Sequence, residues 1–178
     1  MNTKTLQKWI LTALLAAFVT VATVLVQVPI PATGGYVNLG DGVILVAAYL
    51  LGGAYGGLAA GVGSALADLV AGYAVYVPGT FVVKALMALT AALVWKALRA
   101  RRTGLRLLLA GVVGEGVMVT GYFVYEAVFL GYGIGAAVSV VSNLLQGAAG
   151  IAVSAAATAI LSKNPAVKRM TGDNTQSR

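Results

Sequence analysis

Residues 9–40, WILTALLAAFVTVATVLVQVPIPATGGYVNLG, contain no charged side chain, and a second uncharged stretch runs from Ala127 to Ser162. Apolar runs longer than about 18 residues are typical of membrane-spanning helices. Across the whole chain 60% of the residues are hydrophobic and 10% are charged, whereas soluble domains average roughly 45–50% and 25%. The sequence therefore predicts an all-α, polytopic membrane protein.

Prolines, glycines and charged clusters divide the apolar sequence into six predicted membrane helices. These helices are expected at 9–28, 42–51, 55–72, 80–98, 105–130 and 134–161. The first apolar run is longer than the ~7–15-residue core of a signal peptide and no clear cleavage site follows it, so we interpret it as part of the bundle. We expect residues 1–170 to form one six-helix transmembrane domain and the polar tail, 171–178, to be disordered.

The basic residues indicate how the bundle is oriented in the membrane. Apart from Lys84, they lie before the first helix, around the loop between the fourth and fifth helices, and after the sixth. The loops at 29–41, 73–79 and 131–133 contain no lysine or arginine. Cytoplasmic loops carry an excess of Lys and Arg, so we expect both termini in the cytoplasm of a prokaryotic cell and the protein in its plasma membrane.

The net charge of +7 is also typical of proteins that bind nucleic acid, but the distribution of the basic residues argues against such a partner. The basic residues form short clusters at predicted membrane edges without interleaved aromatic residues, so we predict the lipid bilayer and no nucleic acid as a partner. The chain has no cysteine and no histidine. Thiol nucleophiles, Ser-His triads and the usual zinc or haem ligands are therefore excluded, and we predict no enzymatic activity, metal or cofactor.

Four ionisable residues, Asp68, Lys84, Glu115 and Glu126, fall at membrane depth. Placing such a side chain in the membrane costs at least ~2.5–3.5 kcal/mol of free energy unless it has a partner or lies in a water-filled cavity. At ~1.5 Å of rise per residue, Asp68 and Lys84 come to the same depth on neighbouring helices, so we predict a structural ion pair between them. Contact with a ligand is an equally good interpretation for Lys84, because an ammonium group has three donors.

Polar residues on the last two helices and the first long loop indicate a binding pocket. Glu115, Tyr122 and Glu126 share one helix face, and Asn143 and Gln146 share another. The two amides are also consistent with simple hydrogen bonding between helices. The predicted pocket lies in the outer half of the membrane beneath the loop at 31–41, and its residues are Tyr36, Asn38, Lys84, Glu115, Tyr122, Glu126, Asn143 and Gln146. Asp41, at the end of this loop, is predicted to be the N-cap of the second helix.

Small residues at four-residue spacing allow close helix packing in lipid. The series Gly52, Gly56, Ala60, Ser64 and Asp68 predicts a packing edge on the third helix. Ala13 and Ala17 form a shorter pair of the same kind on the first helix.

Several ordered motifs resemble the substrate-binding S components of energy-coupling factor (ECF) vitamin transporters. The resemblance extends over about residues 9 to 161 and is carried by Asn38-Leu39-Gly40-Asp41-Gly42, Ser64-Ala65-Leu66-Ala67-Asp68-Leu69, Pro78-Gly79-Thr80, Lys84-Ala85-Leu86-Met87, Gly114-Glu115 and Gly121-Tyr122-Phe123. The chain is similar to the riboflavin-type group, which also includes carriers for hydroxymethylpyrimidine and pyridoxine.

The resemblance implies a six-helix protein that binds its vitamin from outside, using the first external loop and helices 4 to 6. It also implies assembly with a transmembrane T component and two ATPase subunits, for which Ala13 and Ala17 would form part of the contact surface. The polar pocket favours pyridoxine or hydroxymethylpyrimidine, because buried polar groups without partners are costly; riboflavin is the alternative. A stand-alone carrier, coupled to protons through Glu115 or Asp68, is a further alternative.

Overall fold

A computed structural model describes residues 2–31 and 33–164, and the predicted tail at 171–178 lies outside the described residues. Six α-helices form the bundle: α1 (Thr3–Leu25), α2 (Gly40–Leu51), α3 (Gly53–Ala71), α4 (Val77–Ala97), α5 (Thr103–Val124) and α6 (Ala137–Leu161). A π-helical segment, Tyr125–Phe129, and a 3₁₀ turn, Gly133–Ala136, connect α5 to α6. The predicted all-α class is confirmed.

The loop between α1 and α2 contains a small β-hairpin that the sequence analysis did not predict. Strands β1 (Gln27–Ile30) and β2 (Gly35–Asn38) pair antiparallel, with Gln27 opposite Asn38 and Ile30 opposite Gly35. Gly34 supplies the left-handed turn conformation between them, with φ at 65°. Because the hairpin begins at Gln27, α1 ends at Leu25 and is three residues shorter at this end than predicted.

Helix α2 is the central element of the bundle. Ten of its twelve residues are buried, and it packs against α1, α3, α4 and α6. Two glycines permit this close packing: a Cβ on Gly56 of α3 would lie 2.9 Å from the Ala48 Cα, and a Cβ on Gly42 would lie 2.5 Å from a Val153 methyl group. On the predicted α3 edge, Gly56, Ala60, Ser64 and Asp68 are buried as expected; Gly52 instead precedes the helix, with φ at 80°.

Five helices are long and apolar enough to cross a membrane, and α2 is the exception. Its twelve residues rise only about 18 Å, against a hydrocarbon thickness of ~30 Å. Its first turn contacts Lys84, the eighth residue of α4, and its last residue lines a cavity together with Lys96 and Arg99. Helix α2 therefore extends through about half of the membrane thickness, and the β-hairpin occupies the remaining depth at that position.

The two ends of the bundle differ in structure and charge. We call the end that carries the β-hairpin, the α3–α4 loop and the α5–α6 connection the hairpin end. The opposite end, which carries the start of α1, the α2–α3 turn and the α4–α5 loop, is the basic end. The basic residues of the described chain other than Lys84 lie at this end: Lys4, Lys8, Lys96, Arg99, Arg101, Arg102, Arg106 and Lys163.

The predicted N-cap role of Asp41 is wrong. Leu39 occupies the N-cap position of α2, without a capping side chain, and Asp41 lies in the first turn with 0% of its surface exposed. Its carboxylate is directed into the bundle because partners on α4 and α6 meet it there.

Candidate functional site

A small polar cavity lies beneath the hairpin, where the ends of α3, α4, α5 and α6 converge. Its lining consists of Ile30, Gly35, Tyr36, Asn38, Asp68, Tyr76, Thr80, Tyr122, Glu126, Asn143 and Gln146. The space open to the centre of a water molecule is about 20 Å³, roughly enough for one water. A vitamin-sized ligand therefore fits only if the hairpin or the lining side chains move.

Six of the eight residues predicted to bind substrate line this cavity together: Tyr36, Asn38, Tyr122, Glu126, Asn143 and Gln146. The other two, Lys84 and Glu115, do not line it and are buried elsewhere within the bundle, with 1% and 5% of their surfaces exposed. The amide of Asn143 lines the cavity and makes no hydrogen bond within the described residues, so both its donor and its acceptor are available to a ligand.

The predicted ion pair between Asp68 and Lys84 is replaced by a different one. The ammonium of Lys84 pairs with the Asp41 carboxylate, and the two side chains are 2% and 0% exposed. Gln146 donates from Nε2 to the other Asp41 oxygen at 2.6 Å, while its Oε1 accepts from the Asn38 backbone N–H at 2.7 Å. Because α2 begins in the middle of the bundle, Asp41 reaches Lys84 where Asp68 was expected.

Asp68 instead contacts the hairpin. Its Oδ1 accepts a hydrogen bond of 2.7 Å from the Tyr36 hydroxyl, and the Tyr36 ring packs on Tyr73 with centroids 4.5 Å apart. The other oxygen, Oδ2, has no hydrogen-bond partner within the described residues.

Glu126 lies in the π-helical segment that follows α5 and is held by two hydroxyl groups. Its Oε2 accepts from Ser139, on α6, and its Oε1 lies 3.2 Å from the Tyr76 hydroxyl. Tyr76 also donates to the Thr33 carbonyl oxygen, next to the hairpin, at 2.8 Å. π-Helical segments occur frequently at functional sites, and this one directs a carboxylate to the cavity wall.

The sequence analysis did not assign Tyr76, Thr80 or Asp68 to the pocket. Thr80 bonds the Tyr122 hydroxyl at 3.0 Å and directly follows the Pro78-Gly79 turn. A Pro-Gly turn signal in the sequence is weak evidence for a pocket residue. It places Thr80 near the start of α4, at the cavity end, but does not indicate where the Thr80 side chain points.

The Lys84 ammonium lies next to the cavity wall at Tyr122. Its Nζ lies 5.4 Å from the centre of the Tyr122 ring, within the range of a cation–π interaction. The ring therefore separates the ion pair from the cavity, and Lys84 stabilises the wall rather than forming it.

Glu115 is buried beside the ion pair. A Cβ on Gly147 would lie 3.0 Å from the Glu115 Cβ, and a Cβ on Gly150 would lie 2.7 Å from its Oε1 and 2.9 Å from the Asp41 Cβ. Neither carboxylate oxygen has a hydrogen-bond partner within the described residues. The two glycines of α6 thus make room for a second carboxyl group next to Asp41.

Sequence comparison identifies the kind of protein that this arrangement belongs to. The family described as "ECF-type riboflavin transporter, S component" matches residues 3–164. The chain belongs to this family. The predicted resemblance is confirmed over nearly the whole length, and membership makes the chain a multi-pass membrane subunit of a transporter family rather than of an enzyme family. For an S component, membership implies partnership with T and ATPase components and a vitamin substrate.

A curated relative from Pyrococcus woesei, described as "Uncharacterized protein in gap 3'region", is 40% identical over 145 residues. The aligned region covers 82% of this chain and 95% of the relative.

Lys84→Met should destabilise the protein strongly, because it leaves the Asp41 carboxylate buried without its cation. Removing one partner of a buried ion pair costs about 3–5 kcal/mol. The double variant Lys84→Met, Asp41→Asn removes both charges and should recover at least half of that loss. Thermal unfolding of the detergent-solubilised protein measures both effects.

Lys4→Met serves as the control, since Lys4 is an exposed lysine of α1 that lines neither cavity and should change stability by no more than about 0.5 kcal/mol. A double variant as unstable as Lys84→Met would contradict the assigned pairing.

Proposed function

We propose that this chain is the substrate-binding subunit of an ATP-driven ECF importer and captures a small vitamin or vitamin precursor from outside the cell. The main support is the cavity beneath the hairpin, where the hairpin and α3 to α6 contribute polar side chains to one space. Concave sites with a few converging polar groups are typical of small-molecule binding.

Pyridoxine or hydroxymethylpyrimidine is the favoured ligand class. Nine of the eleven lining residues are polar, including two carboxylic acids and three amides. A single hydroxylated ring offers donors and acceptors for such groups, whereas unmatched buried polar atoms would weaken binding. A single ring also requires less displacement of the hairpin than the three fused rings of riboflavin.

Riboflavin is the second candidate, and two observations favour it. The matching family is described by that vitamin, and three tyrosines, Tyr36, Tyr76 and Tyr122, line the cavity. Tyrosine rings provide faces on which a flat aromatic ligand can stack.

Calorimetric titration of the purified protein with pyridoxine, hydroxymethylpyrimidine and riboflavin tests the ligand class. We expect one of the single-ring compounds to bind at least tenfold more tightly than riboflavin. Asn143→Leu should weaken this binding by about tenfold or more with little loss of thermal stability, because it removes an amide that makes no internal hydrogen bond.

Thr120→Val is the matched control, a polar-to-apolar change at an exposed position of α5 that should leave affinity unchanged. Binding of riboflavin alone would overturn the preferred class. Unaltered binding by Asn143→Leu would show that the ligand does not use this cavity.

We further propose that the basic end faces the cytoplasm and the hairpin end faces outside. Eight basic residues of the described chain lie at the basic end, and the described segments 26–39, 72–76 and 130–136 at the hairpin end contain none. The positive-inside rule favours this orientation.

Single introduced cysteines can report the orientation, because the chain has no cysteine of its own. In intact cells a membrane-impermeant maleimide should label Val75→Cys, in the α3–α4 loop, and should label Ala100→Cys, in the α4–α5 loop, only after permeabilisation. The reverse labelling pattern would place the hairpin on the cytoplasmic side.

The T component and two ATPase subunits are the proposed protein partners, with α1 as part of the contact surface. Ala13 and Ala17 lie on the exposed face of α1, whereas Thr12, Ala16, Val19 and Thr23 face the bundle. An exposed pair of small residues permits close approach of another helix.

Ala13→Trp should prevent assembly with the T component and ATPases while leaving ligand affinity within about twofold, because the added ring points away from the bundle. Co-purification of the complex and ligand titration of the isolated subunit measure the two effects. Ala156→Trp, at an exposed position of α6, is the control and should assemble normally. Uptake that survives loss of the ATPases would instead support the stand-alone, proton-coupled carrier.

A further inference from the structure

A second cavity, distant from the hairpin, lies at the basic end of the bundle between the α2–α3 turn, α4 and the starts of α1 and α5. It has a volume of about 560 Å³ and is much larger than the cavity beneath the hairpin. Its lining includes four basic residues, Lys8, Lys96, Arg99 and Arg106, together with Trp95.

No carboxylate forms an ion pair with Lys8, Lys96 or Arg99 within the described residues. The four described acidic residues are Asp41, Asp68, Glu115 and Glu126; two line the hairpin-end cavity, Asp41 pairs with Lys84, and Glu115 lies beside Asp41. Membrane topology accounts for basic residues at one end of a bundle. Topology alone does not explain why these basic residues surround a cavity, whereas an anion-binding site is expected to be lined by basic residues.

Trp95 provides independent support for a ligand. Only 5% of its surface is exposed, and its indole N–H has no hydrogen-bond partner within the described residues. The ring is held on both sides: the Arg106 guanidinium carbon lies 3.8 Å from its centre, and the Tyr49 ring stacks on it with centroids 4.6 Å apart. A buried donor without a partner is costly. Because Trp95 lines the cavity, a small shift of its ring would present this N–H to an acceptor that enters.

An apolar groove continues from the same place. The groove has a volume of about 270 Å³ and shares Gly53 with the cationic cavity. It runs along the seam between α3 and α4 and is lined only by glycine and apolar side chains: Gly53, Ala54, Gly57, Leu58, Phe81, Ala85, Leu86 and Leu89. A cationic cavity at the membrane edge that leads into an apolar groove along the helices has the shape and polarity of a phospholipid.

We propose that the cationic cavity and the groove together bind one anionic phospholipid. The phosphate group occupies the cavity, where Lys96 and Arg99 supply positive charge and Trp95 donates its indole N–H. An acyl chain lies in the groove between α3 and α4. This site is separate from the vitamin cavity and serves the membrane leaflet at the basic end.

Native mass spectrometry of the full chain, extracted from vesicles of equal parts phosphatidylglycerol and phosphatidylcholine, tests the charge requirement. The unaltered protein should retain one phosphatidylglycerol in preference to phosphatidylcholine. Lys96→Gln with Arg99→Gln should lower this retention about tenfold, since each basic residue contributes substantially to attraction of anionic lipid.

Arg101→Gln with Arg102→Gln is the matched control. It removes the same amount of charge from the adjacent loop, at two exposed positions that do not line the cavity, and retention should stay within about twofold. Equal losses in the two double variants, or equal retention of the two lipids by the unaltered protein, would overturn the proposal.

Tryptophan fluorescence distinguishes a lipid from a free anion. In a Trp9→Phe background Trp95 is the remaining tryptophan, because the chain has two. Short-chain phosphatidylglycerol should change its emission at a concentration at least tenfold lower than inorganic phosphate or short-chain phosphatidylcholine does. Saturation by inorganic phosphate at the same concentration would assign the cavity to a free anion and overturn the lipid proposal.

The groove is tested by Ala54→Phe, which adds a ring to an exposed lining residue. It should reduce retention of long-chain phosphatidylglycerol several-fold, and Ala156→Phe on α6, outside the groove, should not. Ligand titration at the hairpin end verifies that each variant is folded. If Lys96→Gln with Arg99→Gln abolishes assembly with the T component but leaves lipid retention intact, the cavity binds a protein partner and the lipid proposal fails.

Discussion

Lys84 and Asp41 pair at a depth in the bundle where 2% and 0% of their side-chain surfaces are exposed. Burying two charges is favourable only when each is paired and further hydrogen-bonded, and Gln146 supplies the additional bond to Asp41. The three residues come from α4, α2 and α6, so one polar contact fixes the relative positions of three helices. Helix α2 depends on it most. Its N-terminus lies inside the bundle, where the Asn38 Oδ1 accepts from the Gly40 N–H and the buried Asp41 carboxylate needs Lys84 and Gln146 as partners.

The same contact determines where the hairpin lies. Gln146 uses its amide nitrogen for Asp41 and its oxygen for the backbone N–H of Asn38 in β2. Because α2 rises only about 18 Å, the polar backbone of the preceding segment is drawn to membrane depth, where every N–H and C=O needs a partner. Pairing of β1 with β2 satisfies the groups that face the partner strand, and Gln146 satisfies the Asn38 N–H.

Hydropathy was sufficient to predict the six helices, because an apolar run in lipid satisfies its backbone only as a helix. The partner of Lys84 was not predictable in the same way. Depth along a helix follows from residue counting, whereas helix rotation does not, and an N-cap role for Asp41 predicts no partner for its carboxylate inside the bundle. The sequence contains one indication of this: the predicted helix at 42–51 is too short to cross a membrane, so one end of that helix must lie inside the membrane. The hairpin gave no comparable signal, since Gln27–Ile30 continues the apolar pattern of α1.

Three hydrogen bonds connect the hairpin region to α3, to α6 and to the α3–α4 loop: Tyr36 to Asp68, the Asn38 N–H to Gln146, and Tyr76 to the Thr33 carbonyl. A neutral hydrogen bond contributes about 0.5–1.5 kcal/mol net, and one to a charged group about 1.5–3, so release of the hairpin costs on the order of 3–6 kcal/mol. A micromolar ligand gains about 8 kcal/mol on binding. Because a measured affinity is net of the opening cost, the contacts of such a ligand would have to contribute roughly 11–14 kcal/mol to open a cavity that otherwise holds about one water molecule.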